Sequence, residues 1–161
     1  MSKRTGVASW DETFMEGARV MAKRSKDPRT QVGAVIVDAN NIRVGCGYNG
    51  FPRGVSDEEW SWDSPAKSEA VIHAELNAIL NSNQANLDGC RIYVLFFTCN
   101  ECAKAIIQVG IREVIYADLY KYDECESVIA RRLYDSAGVT YRQVEDTGKA
   151  FNTVLRGNIH D

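Results

Sequence analysis

No apolar run in the sequence approaches the ~20 residues that a membrane span requires, and Met1 to Trp10 has no apolar core of the kind that directs export. The expectation is a soluble, cytoplasmic protein with no membrane partner. Basic charge is also in short supply. Nineteen Lys and Arg stand against twenty-two Asp and Glu, a formal net charge of -3, so the cationic surface that releases counterions from a polynucleotide is missing. That excludes a general polynucleotide binder but not a mononucleotide binder. Cysteine occurs five times, an odd count. Without an export signal, this reads as reduced thiols, some of them metal ligands, rather than a disulfide scaffold. A scaffold of that kind is also unnecessary. With 161 residues, 45% of them hydrophobic and 25% charged, folding buries about two thirds of the unfolded chain's surface. The expected organisation is one domain over residues 1–161, with its core at about 10–145 and a disordered end after Asp146.

Periodicity supplies the elements. Trp10, Phe14, Ala18 and Met21 recur at helical spacing from Ser9 to Arg24, Ser9 and Glu12 form a capping-box pattern, and Asp27-Pro28 ends the helix. Val32 to Val37 and Arg43 to Tyr48, joined by Asp38-Ala-Asn-Asn41, read as a β-hairpin. Asn49 to Pro65 carries Asn49-Gly50, Phe51-Pro52 and Ser64-Pro65 and no period, so it reads as a long loop, where function often sits. A helix follows from Ile72 through Leu80, then a doubly buried strand at Arg91 to Phe97. A second helix runs from Asn100 to Val109 before Gly110, and a strand covers Glu113 to Tyr116. Asp123 with Glu126 opens a helix that ends before Gly138, and Val139 to Val144 is a last strand. The order αββαβαβαβ predicts an α/β sheet with helices on both faces.

The chemistry concentrates in His73-Ala74-Glu75 and Cys99-Asn100-Glu101-Cys102. One imidazole and two thiolates can hold zinc and leave a fourth position for water, the open arrangement of a catalytic site. Both segments fall at expected helix starts, where backbone N–H groups and the helix dipole favour thiolate. Zinc lowers the pKa of its water from about 15.7 to about 7, and Glu75 is placed to shuttle protons. A histidine-x-glutamate followed by Cys-x-x-Cys is the zinc deaminase signature, in which glutamate relays protons until ammonia leaves. A structural zinc knuckle or a redox Cys-x-x-Cys is the plainer alternative. A structural site needs a fourth protein ligand, and the second histidine, His160, lies near the chain's end.

Across about residues 10 to 145 the chain resembles the deoxycytidylate deaminase branch of the cytidine and deoxycytidylate deaminase superfamily. The matching stretches are Arg24-Ser-Lys-Asp-Pro28, Gln31-Val-Gly-Ala-Val35, Gly47-Tyr-Asn-Gly-Phe-Pro52, His73-Ala-Glu-Leu-Asn-Ala-Ile79 and Cys99-Asn-Glu-Cys-Ala-Lys104. The resemblance implies a three-layer αβα fold with a central mixed sheet, and one catalytic Zn2+ held by His73, Cys99 and Cys102, with Glu75 as the proton carrier. It further implies conversion of dCMP to dUMP, a homohexamer, activation by dCTP with Mg2+, and inhibition by dTTP. A deaminase acting on dCTP and a catalytically silent zinc or nucleotide-binding domain are the rival readings. Two stretches depart from the family pattern. Thr98 stands where a proline is usual, which removes a rigid φ restraint but leaves proline expected to be tolerated there. Lys67-Ser-Glu-Ala-Val71 replaces an aromatic, proline-containing stretch. Cysteines and histidines for a second zinc are lacking.

Asn49 has two readings, a turn residue before Gly50 or a contact to the substrate's sugar and base, as the resemblance implies for it and for the Ala74 backbone. Arg24, Lys26 and Arg53, with Gly50, are the phosphate- or effector-binding candidates, since phosphate needs arginine or lysine donors. Gly47 and Gly50 also read as backbone-geometry residues. Cys46, Cys90 and Cys125 are expected to pack as small apolar groups. Phe51, Trp60 and Trp62 could pack, meet another subunit or stack on a base, with packing or a subunit contact favoured for Phe51 and Trp60. Ile106, Ile107 and Val109 read as core or interface.

Overall fold

The computed structural model describes residues 1–63, 66–119 and 124–144. Ser64-Pro65, Asp123, the Cys125 side chain, His160 and the tail lie outside them. Helix α1 (Trp10–Ala22) opens with the expected capping box, Ser9 Oγ accepting the Glu12 N–H at 3.2 Å and Glu12 Oε2 accepting the Ser9 N–H at 2.7 Å. Strands β1 (Gly33–Val37) and β2 (Arg43–Tyr48) form the hairpin. Its turn is closed by Asp38 Oδ1, which accepts the N–H groups of Asn40 and Ile42, with Asn41 in the left-handed region that asparagine tolerates. Then come α2 (Ala66–Ala70), α3 (Ala74–Leu80), β3 (Arg91–Phe96), α4 (Asn100–Gln108), β4 (Glu113–Asp118), α5 (Glu124–Ala137) and β5 (Thr140–Gln143). The short α2 falls between the loop read to Pro65 and the helix read from Ile72, in a stretch given no element, because one and a half turns show no period.

The five strands lie in the order β2-β1-β3-β4-β5. β1 is antiparallel to both β2 and β3, whereas β3, β4 and β5 run parallel, with α4 and α5 as the crossovers that parallel neighbours require. Apart from the mostly exposed edge strand β5, the mixed sheet is covered on both faces, and strand alternation sorts its side chains. Val35, Val37, Tyr93, Leu95, Ile115 and Ala117 point to one face, where Phe14, Met15, Ala18 and Ala22 of α1 cover them. Ala34, Ile36, Ile92, Val94, Val114 and Tyr116 point to the other, beneath Ala74 and Ala78 of α3, Ala103 and Ile106 of α4 and Ala130 and Tyr134 of α5. This is the three-layer αβα arrangement. Cys90 and Ile106 are core residues as expected, Ile107 and Val109 pack partly buried against the same cluster, and Cys46 packs partly buried on the α1 side. Among the described residues no helix is long and apolar enough to cross a membrane.

Candidate active site

The pocket is assembled by two helices that start at the same end of the sheet. α3 approaches β2 closely because Gly47 has no side chain: a Cβ there would lie 2.3 Å from the Ala78 nitrogen and 2.6 Å from the Ala74 oxygen. Gly50 exchanges both backbone hydrogen bonds with Ile72, at 3.1 and 2.9 Å, and Asn77 Nδ2 donates to the Tyr48 carbonyl at 2.8 Å. The segment Ile72–His73 is thereby pinned to the end of the hairpin. His73 is the N-cap of α3. The second piece leaves β3 where the Phe97 N–H donates to the Asp118 carbonyl at 2.9 Å. Cys99 then becomes the N-cap of α4, its Sγ accepting the Cys102 N–H at 3.5 Å.

These turns bring three donors together. His73 Nδ1 lies 3.4 Å from Cys99 Sγ and 3.5 Å from Cys102 Sγ, and all three donor atoms fall within 4.8 Å of one another. A tetrahedral zinc with Zn–N near 2.0–2.1 Å and Zn–S near 2.3 Å has N···S edges of about 3.6 Å, so the donor set has the spacing of three corners of such a site. Cys99 and Cys102 are buried and His73 half-buried. The hydrogen bond with Cys99 raises the imidazole pKa to about 9, with the Glu75 charge adding to it. Hydrogen bonds from the Cys102 thiol, His73 and the Cys102 N–H hold the Cys99 thiol well below its usual range. The bond to Cys99 and burial push Cys102 up. Cys99 is thus held toward thiolate, while His73 and Cys102 hold protons that a bound metal would displace. Glu75, the second residue of α3, is 4% exposed, and burial pushes its carboxyl up.

A cavity of about 880 Å³ opens onto this cluster and includes Asn49, Lys67, His73, Ala74, Glu75 and both cysteines in its wall. That volume is within the range of small-molecule sites. Asn49 is buried, and its amide is largely committed to the protein. Nδ2 donates to Thr30 O at 2.9 Å and to Asp27 Oδ2 at 3.4 Å, and Oδ1 accepts the Val32 N–H at 2.8 Å. One lone pair of Oδ1 is left for a ligand. Arg24, Lys26, Gly50 and Arg53 do not line the cavity. The three cations are exposed, and Lys26 pairs with Asp57. Phe51 packs against Trp62 and Trp60, with ring centroids at 4.5 and 6.0 Å, so these aromatics meet one another in the rim loop.

Two features were missed in the sequence. Lys67 reaches the cavity wall and pairs with buried Asp27, whose other oxygen accepts the N–H groups of Arg29 and Thr30. The only hint in the sequence was a basic residue in the stretch that departs from the family pattern. Thr98 is fully buried, its hydroxyl 2.6 Å from that of Tyr134 on α5. Proline at 98 would strand the phenol, so the expectation that it is tolerated gives way to an expected cost.

The class defined by this fold and donor set is the deaminase-type αβα domain with a three-ligand metal pocket. The model of the cytidine and deoxycytidylate deaminase zinc-binding region matches residues 8–118, and the chain belongs to that family. A deoxycytidylate deaminase of Pongo abelii is 50% identical over 147 residues, covering 88% of this chain and 83% of that protein. ComE operon protein 2 of Bacillus subtilis is 41% identical over 144 residues, covering 85% and 72%. The crystal structure of a cyanophage S-TIM5 dCMP deaminase in complex with dCMP and dUMP superposes with a TM-score of 0.67 at 26% identity, covering 83% of this chain and 95% of that one.

Proposed function

We propose that the chain hydrolyses dCMP to dUMP and ammonia, and that His73, Cys99 and Cys102 hold the zinc. The observation that carries this reading is the convergence of those three donors beside the buried Glu75 at the floor of the cavity, in a chain half identical to a deoxycytidylate deaminase. Zinc bound there supplies Lewis acidity that makes water nucleophilic near neutral pH. Glu75 takes the first proton of the attacking water and delivers it to N3 of the base, then takes the second from the new hydroxyl on C4 and passes it to the amine, which leaves as ammonia as the C4 carbonyl forms. Its burial supports this role, because a carboxylate whose pKa is pushed upward takes a proton from water more readily than an exposed one. Asn49 accepts a sugar hydroxyl with its remaining lone pair, and the Ala74 backbone meets the base.

Lys67 is the ammonium closest at hand for the substrate phosphate. The described wall holds Asp27, Glu69, Glu75, Glu101 and Glu126 and one lysine, so a dianion entering the cavity needs Lys67. Arg24, Lys26, Gly50 and Arg53 serve the rim, where dCTP with Mg2+ activates and dTTP inhibits a homohexamer working in the cytoplasm. The test is ammonia release from zinc-loaded protein given dCMP or dCTP. dCMP should yield equal amounts of dUMP and ammonia while dCTP is left intact. Silence with dCMP would overturn the assignment, and consumption of dCTP would move the substrate to the triphosphate. Regulation should appear as sigmoidal dCMP dependence that turns hyperbolic with dCTP.

A further inference from the structure

Tyr134 lies on α5, in the helical layer that also contains α4. Its side chain is 0% exposed, as is Thr98, and the two hydroxyls share a hydrogen bond of 2.6 Å. Neither group can exchange this partner for water, and a buried hydroxyl left alone costs about 1–3 kcal/mol. The pair is therefore locked. Its neighbours are locked with it. Phe97 meets Tyr134 edge-on at 6.2 Å and Tyr116 at 5.0 Å, and the Arg131 guanidinium sits 4.4 Å from the Phe97 ring centroid. Two consecutive residues, Phe97 and Thr98, are thus gripped by α5 immediately before the chain delivers Cys99 to the metal pocket. The φ angle of a threonine is not fixed by a ring as that of proline is, so the grip is what restrains the backbone there.

We propose that Tyr134 is a positioning residue for the metal pocket: its hydroxyl holds that of Thr98 and thereby sets where Cys99 Sγ sits relative to His73 Nδ1 and Cys102 Sγ. This rests on the zinc assignment above. It makes α5, remote in sequence from both metal-binding segments, part of the machinery that keeps the thiolate in register, and it gives a fully buried polar pair a purpose that packing alone would not need.

The experiment uses zinc-loaded full-length protein with Tyr134→Phe, Thr98→Val and the double substitution. It follows zinc transfer to a chelator, the thiolate-to-metal absorption of the cobalt-substituted protein, and thermal unfolding. The single variants should release zinc about tenfold faster than the unaltered protein, the lower end of what lost support around a metal site costs, with an altered cobalt band. In the double variant the stability should return toward that of the unaltered protein, because no hydroxyl is stranded, while fast release and the altered band persist. Release within about twofold of the unaltered protein in both single variants, against the tenfold expected, would overturn the proposal. So would a double variant that recovers stability, zinc retention and cobalt spectrum together, which is the behaviour of a purely structural pair. Failure of the unaltered protein to take up zinc would overturn the zinc assignment itself and is recognised without any variant.

Discussion

The floor and the rim of the cavity are built on different principles. The floor, His73 to Glu75 with Cys99 to Cys102, is carried on helix starts that backbone hydrogen bonds and close packing tie to the sheet, and both cysteines and Glu75 are buried. The rim loop 51–63 is held mainly by side chains: the Lys26–Asp57 and Arg29–Asp63 pairs, in which only Asp57 is half-buried and the other members are exposed, and the mutual packing of Phe51, Trp60 and Trp62. Exposed pairs of this kind contribute about 0–1 kcal/mol, whereas each buried feature of the floor has no solvent alternative. The floor thus holds its atoms fixed, whereas the rim can rearrange cheaply.

The largest effect expected is at Glu75. Glu75→Gln keeps volume and removes the proton carrier, so kcat for dCMP should fall by about 10³ to 10⁴ with zinc content unchanged. Turnover near that of the unaltered protein would assign the proton work to another group. Next comes Gly47→Ala. A methyl 2.3 Å from the Ala78 nitrogen must push α3 off β2, for a destabilisation of about 3 kcal/mol and a Tm lower by roughly 6–12 °C. Zinc retention should fall too, because His73 moves with the helix. An unchanged Tm would mean that the floor is as compliant as the rim and would erase the contrast drawn above.

At the rim, Lys26→Ala should change stability by less than about 1 kcal/mol and leave basal deamination intact, while the concentration of dCTP needed for activation rises. Equal losses of basal rate and effector response would place Lys26 with the floor instead. The smallest effect belongs to Asp11, in the first turn of α1, where it meets Arg142 of the edge strand β5. Its carboxyl is held below the usual range by hydrogen bonds from Arg142, which lie at 2.7 and 3.0 Å, and from the Tyr93 hydroxyl, with burial opposing them. A depressed folded pKa gives stability that is fully present above the unfolded value of about 3.9 and is lost as pH falls through the folded one. Asp11→Asn should therefore flatten the acid limb of the stability curve below about pH 4. Parallel acid limbs for the two proteins would show that the pair is screened away.

Local patterns were well marked along the chain, which is why the helices and strands lie within a few residues of the periodicity reading. Ser9 and Glu12 cap α1, Asp38 to Asn41 turns the hairpin, and Gly110 follows α4. Each is decided by neighbours in sequence. α2 escaped because a helix of five residues is too short to show a period. β4 ran on to Asp118, beyond Tyr116, because its end is set by parallel pairing of Phe96 with Asp118 rather than by any turn residue.

The sequence by itself marked the candidate site: the donors His73, Cys99 and Cys102, with Glu75 beside them, stand in two short motifs whose spacing within each motif is a matter of one helical turn. What it left open was everything carried by contacts between distant segments. The 26 residues that separate His73 from Cys99 are closed to bonding distance by the order of strands in the sheet. Asp27, Asn49 and Lys67 meet across two loops and a helix, and Thr98 finds Tyr134 36 residues away. A buried polar group must be paired somewhere, but which partner it takes depends on how whole elements pack, and no local propensity records that choice.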